Sequence, residues 1–209
     1  LGGGSPPQTA EIVASHPFHH RSQINESCIR YLAGRDVRRY KIDWSGDWVS
    51  YGEWVAEFPP RQIFEEGRIL VREIIGKIPY AIKACYTEES FLYNRSVIQI
   101  LAKDKANRDL MLSLLLILNS SKASNIFFIL SKKTRKKLFP KLLISDLKEF
   151  PIPYSIFSHQ KEAASLATRC LTAKNEAELD ALNQEADLFV EHLYLSGSAE
   201  LELGNYFEA

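Results

Sequence analysis

The sequence predicts an α+β fold: a mostly antiparallel β-sheet holding a buried helix, followed by a C-terminal helical hairpin. Three observations predict it. Between residues 29 and 103, short β-branched and aromatic runs alternate with Gly, Pro, Asn and Asp. From Asn107 an almost continuous apolar stretch begins, and beyond residue 159 the apolar positions recur at helical spacing. Apolar runs bounded by turn residues read as strands, whereas recurrence every three to four residues reads as helix.

The elements follow in order. The opening "LGGGSPPQ" is Gly/Pro-rich and reads as linker, so residues 1–20 form a flexible segment outside the fold. "GRILVREII" (67–75), "IPYAIKACY" (78–86) and "SVIQILAK" (96–103) are the strand candidates. Asn107 caps "RDLMLSLLLILNS", which is apolar nearly all round and therefore a core spine that stops at Asn119-Ser120-Ser121. "ASNIFFIL" (123–130) reads as a further helix. In the tail, Ala163, Leu166, Ala167, Cys170 and Leu171 share one helical face, and Leu179, Leu182, Ala186, Phe189, Val190 and Leu193 share another. Asn175 with Glu178 three residues on makes a capping box, so the pair joins near Lys174-Asn175. The expected organisation is a segment 1–20, a body 21–158 and a helical spacer or docking region 159–209.

The formal charge is zero, but it is unevenly spread. Residues 21–158 carry 23 Lys/Arg against 15 Asp/Glu, and residues 159–209 carry 3 against 10. A basic body suits a polyanion, because each phosphate neutralised releases counterions; a solvated mixed surface beside an acidic helix is the plainer alternative. The cations cluster in "GRDVRRYKIDW" (34–44), around Arg68 and Arg72, and in "SKKTRKKLFPK" (131–141), which holds six Lys/Arg and no acid.

Three scattered cysteines, odd in number and in no metal-ligand spacing, predict free thiols and a reducing compartment, here the cytoplasm. The longest nearly apolar run, Leu110 to Leu118, is too short to span a bilayer, so no membrane partner is expected. Catalytic signals are weak. A metal-dependent nuclease needs an acid followed by a strand bearing acid-x-Lys, and the only such pair, Asp146-Leu147-Lys148, precedes "EFPIP". An adenine methyltransferase needs a Gly-rich cofactor turn and an Asn/Asp-Pro-Pro-aromatic corner, and "FPPR" (58–61) lacks the amide or carboxylate. His16, His19 and His20 precede Cys28, but zinc would want a second cysteine.

A family resemblance runs through ordered motifs: "YLAGRDVRRYKIDWSGDWV" (31–49), "GRILVREI", "LLLILNSS", "LFPKLLISDLKEFPIP" and "EADLFVEHLYLS". In that order they resemble the TaqI-like C-terminal specificity domain, the target-recognition part of adenine-specific DNA methyltransferases and of fused type II (type IIG) restriction-modification enzymes. The resemblance implies a non-catalytic chain that reads double-stranded DNA beside a catalytic methyltransferase domain. It implies no cofactor in this chain, S-adenosylmethionine belonging to that catalytic domain. It implies that Arg35, Arg38, Arg39, Lys41, Arg68 and Arg72 face DNA, with Trp44 and Trp48 packed behind them. Asp36 or Asp43 would orient an arginine, although Asp36 and the aromatics fit equally a turn and its core. Base edges are expected to meet Asn94, Arg95 and Tyr86 near strand ends, and Thr134 and Arg135 in a basic loop whose Lys132, Lys133, Lys136 and Lys137 meet phosphates, although Asn94 fits equally a turn, Arg95 a phosphate contact and the basic loop a solvated surface. The other readings are a type I restriction specificity subunit, a nuclease around Asp146 and Lys148, and a protein-interaction module for an acidic partner.

Overall fold

The computed structural model describes residues 18–52, 60–103, 107–130, 140–196 and 200–208. The chain first lays down β1 (His19–His20), β2 (Cys28–Leu32), the hairpin β3 (Val37–Arg38) and β4 (Lys41–Ile42), and β5 (Trp48–Ser50). It continues through β6 (Arg68–Arg72), β7 (Ala84–Thr87), β8 (Leu92–Tyr93) and β9 (Val97–Ala102) to the helices α1 (Arg108–Leu118), α2 (Ser121–Leu130) and α3 (Ile144–Lys148). After β10 (Pro151–Pro153) come α4 (Gln160–Leu171), α5 (Glu176–Ser196), β11 (Glu200–Glu202) and β12 (Phe207–Glu208). The fold is α+β, with antiparallel pairing throughout the main sheet.

That sheet has the order β12-β9-β6-β7, and a smaller one runs β1-β5-β2-β8, with β2 and β8 parallel. Ile69, Leu70 and Val71 of β6 are buried on both faces, which suits a central strand with an unbroken apolar run. One face meets α1, where every residue from Leu110 to Leu118 is buried. The other contributes Leu70 to a cluster with Leu32, Val37, Phe91 and Val97. The Asn107 side chain accepts from Leu110 N at 2.9 Å, so the helix starts where a cap permits it.

The C-terminal helices complete this core. Ala163, Leu166, Ala167 and Cys170 of α4 and Leu182, Ala186, Val190 and Leu193 of α5 belong to the same buried cluster as α1 and the sheet. Residue 158 therefore divides no core, and the helix pair packs on the spine rather than standing off it. The Asn175 side chain accepts from Glu178 N, and Glu178 in turn accepts from Lys174 N, both at 2.9 Å. The tail after α5 corrects the expectation of a purely helical end. β11 pairs with β10 and β12 adds to the edge of β9, burying Leu203 and Phe207. Among the described residues no single helix is long and apolar enough to cross a membrane.

Candidate nucleic-acid interface

Antiparallel register polarises the main sheet. Arg72 at the end of β6 pairs with Val97, and its N–H donates to Lys83 O at 3.0 Å. One end of the sheet thus gathers Arg72, Lys83 and, in the turn entering β9, Arg95. The chain rejoins the fold at that same end after the basic segment. Ile75 N donates to Pro140 O, and Lys141 bridges Ile74 while its ammonium pairs with Glu73 at 3.0 Å. At the opposite end Arg68 pairs with Thr87, with Glu66 just before β6 and Glu88 and Glu89 just after β7. Two exposed or half-buried cations nearby are paired, Arg108 with Glu88 at 3.2 Å and Arg30 with Glu89 at 2.7 Å.

At the basic end Arg72, Lys83 and Arg95 have no ion pair among the described residues. Burial, then Arg72, Arg38 and Arg39, hold the Lys83 ammonium below the ordinary lysine range. Like charges this close repel unless an anion meets them. Arg95 sits exposed at a groove with Ile63, Tyr93, Gln99, Leu142 and Ile144. Lys83 lies inside "IPYAIKACY", a strand candidate with no charge cluster, and only its register with Arg72 marks it.

The stretch 34–44 divides its cations. Gly34 N donates to Ser96 Oγ at 2.9 Å, and a Cβ there would lie 2.8 Å from Ser96 O, so only glycine permits the approach. Asp36 is buried, accepting from Ala33 N at 2.9 Å, with Ser45 at 3.3 Å. Arg35 is exposed and lies 3.8 Å from Asp36 and 3.9 Å from Asp47. Arg38 is exposed and pairs with Asp43 at 2.9 Å. Lys41 is exposed with no ion pair among the described residues. Trp44 and Trp48 meet edge to face, 5.2 Å between centroids, and the cation over the Trp44 ring is Arg30, at 5.8 Å.

Several expected contacts need correction. Arg39 turns inward: it donates to Asn119 O at 3.1 and 2.8 Å and to Asn183 Oδ1 at 2.9 Å, and its guanidinium lies 3.7 Å from the Tyr80 ring centroid. Arg68 is 0% exposed and donates to Glu66 O, Glu89 O and the Tyr93 hydroxyl, so it cannot reach a phosphate. Tyr86 stands at the acidic end, donates to Glu88 and lies beside Arg108. Burial, then the Glu88 hydrogen bond, pushes its phenol up to about 12. Asn94 is exposed, but its Oδ1 accepts from Ser96 N and Ser96 Oγ, an Asx turn that shapes the entry to β9. Lys132, Lys133, Thr134, Arg135, Lys136 and Lys137 lie outside the described residues.

Asp146, His19 and His20 each have a structural partner. Asp146 accepts from Leu143 N at 2.9 Å, capping the short α3. Among the described residues no group of three or more His, Cys, Asp or Glu could hold a metal ion. His20 Nε2 lies 2.7 Å from Ser50 Oγ, and His19 packs edge to face on Tyr31, while His16 lies outside the described residues.

Among curated proteins, no sequence matches the chain. The family described as the TaqI-like C-terminal specificity domain matches residues 29–152. That family supports a DNA-recognition specificity role in methyltransferase and restriction enzymes. The match covers more than half of the sequence, including β6, β7 and β9 of the polarised sheet, its basic end and the spine helix. The chain therefore belongs to the TaqI-like C-terminal specificity domain family.

Proposed function

We propose that this chain is the target-recognition part of an adenine-specific DNA methyltransferase or of a fused type II restriction-modification enzyme, itself without catalysis. In a member of a DNA-specificity family, the observation that carries the reading is the gathering of Arg72, Lys83 and Arg95, with no ion pair among the described residues, at one sheet end, where the basic segment also rejoins the fold. Double-stranded DNA lies against that end. Arg72, Lys41 and the Lys132, Lys133, Lys136 and Lys137 side chains hold phosphates, while Arg95, with Thr134 and Arg135, reads base edges in the major groove. A catalytic methyltransferase domain, in the same protein or a separate subunit, supplies the S-adenosylmethionine site, and the assembly works in the cytoplasm.

The test is fluorescence anisotropy of the full chain with duplex DNA over a range of salt concentrations. Alanine at Lys132, Lys133, Lys136 and Lys137 together weakens binding to all duplexes alike and flattens the salt slope by about 0.9 per lost phosphate contact. Binding by the intact chain that ignores salt counts against the reading. So does Mg²⁺-dependent cutting that Asp146→Ala abolishes.

A further inference from the structure

A second cationic site lies beside the sheet end, where the β3–β4 hairpin faces the turn between α4 and α5. The two enclose a cleft of about 620 Å³. Arg38 and Lys41 line it from the hairpin, Lys83 from the entry to β7 and Lys174 from the inter-helix turn, against two acids, Asp43 and Glu176. Asp43 is engaged by Arg38, whereas Lys41, Lys83 and Lys174 have no ion pair among the described residues.

Three lysines with no ion pair among the described residues thus line one concave surface from three separate elements. The wall behind them is rigid: Arg39 and Tyr40 are anchored, the first to Asn119 and Asn183, the second through its N–H to Ala84 O at 2.8 Å. A preformed concavity lined by several ammonium donors suits a compact oxyanion, since each lysine acts as a point charge with three donors. The helical tail is acidic as a whole, with Lys174 one of its three cations, yet this cation is the one delivered to the cleft.

We propose that this cleft seats one phosphate of the DNA backbone between Lys41, Lys83 and Lys174, so that the helix pair takes part in DNA binding. The step rests on the DNA-recognition reading and deepens it. The phosphate adds no sequence information; it fixes the register of the duplex relative to the base-reading edge.

The test uses the full chain, with Lys174→Gln and the double change Lys83→Gln with Lys174→Gln. Lys161→Ala, exposed on α4 and outside the cleft, serves as control. The double variant should show a salt slope shallower by about 0.9, with the preference among duplexes unchanged. Lys174 is exposed in a turn, so its single variant keeps the test valid if the double variant folds poorly. Inorganic phosphate, titrated against the lysine side-chain NMR signals of the intact chain, should move Lys83 and Lys174 and leave Lys161 in place. Wild-type binding to DNA with slopes unchanged in both variants overturns the seat while the DNA reading stands. Movement of the lysine signals by phosphate in a chain that binds no DNA overturns DNA as the source of the anion. It would fail the functional reading with it, leaving a site for a free phosphate compound.

Discussion

Asn119 takes the place of a neighbouring strand with one side chain. Its amide accepts from Ala84 N and donates to Ala84 O, both at 3.0 Å, along the outer edge of β7. In the sequence it reads as the point where the spine helix stops, and it does stop there; that the same amide pairs a strand 35 residues earlier is a tertiary fact with no local signal. Asn119→Ala removes the partner of a buried N–H, although Ala84 O keeps Tyr40 N. We expect a loss of about 2–3 kcal/mol in urea denaturation; a loss well under 1 kcal/mol would show that water replaces the amide. Lys83 carries a pH signature. Burial, Arg72, Arg38 and Arg39 depress its pKa below the usual 10.5, and Lys41, Lys174, Asp43 and Glu176 share its cleft. Between the depressed value and 10.5 the unfolded chain binds more protons, so this residue's contribution to stability rises as pH climbs through the folded value. A bound phosphate acts oppositely, restoring the charged form, so DNA affinity should fall as pH rises through the free-state value. Lys83→Arg keeps its charge and should flatten that fall in anisotropy titrations between neutral pH and about pH 10; equal profiles would remove Lys83 from the interface.

Elements show where sequence reading reaches and where it stops. The helices were legible because their apolar spacing and caps are local: Asn107 and Asn175 sit at the starts they imply, and Leu110 to Leu118 is buried all round. β10, β11 and β12 were not, since two or three residues are too few to show a period and their pairing is set by the returning chain. The candidate site divides likewise. A charge count finds the basic body but cannot tell Arg38, exposed, from Arg39, one residue on and turned inward. Alternation along the β3–β4 hairpin decides it, and Tyr40, at a left-handed φ of 57°, completes the turn. Arg39 thereby ties the hairpin to the end of α1 and to α5. Arg39→Ala should cost about 2–3 kcal/mol, from charge-assisted hydrogen bonds and the Tyr80 stack. Lysine should recover little, having no planar fork to bridge Asn119 and Asn183. If Arg39→Ala instead preserved stability and flattened the salt slope, Arg39 would belong to the DNA face after all.

At the scale of the molecule, the division into a basic body and an acidic helical tail is one of charge and not of folding. The sequence showed the charge boundary near residue 158, but the α1 face that α4 covers could be known only from packing. Ala163, Leu166, Ala167 and Cys170 fill that face, and Val190 and Leu193 of α5 close over the region of Ile152 and Ile156, with Ser155 Oγ donating to Leu193 O at 2.6 Å. A chain ending at Ser158 would expose an apolar helix, together with the edge of β9 that β12 covers. An apolar face and an unpaired strand edge are each routes to association. We therefore expect residues 21–158 alone to bind a hydrophobic dye, lose near-ultraviolet dichroism and aggregate, whereas the full chain unfolds in one cooperative transition by fluorescence and by far-ultraviolet dichroism. A soluble 21–158 fragment with a native aromatic spectrum, or two separated transitions in the full chain, would make the helix pair an independent spacer. Its Lys174 would then lose the rigid placement on which its part in DNA binding depends.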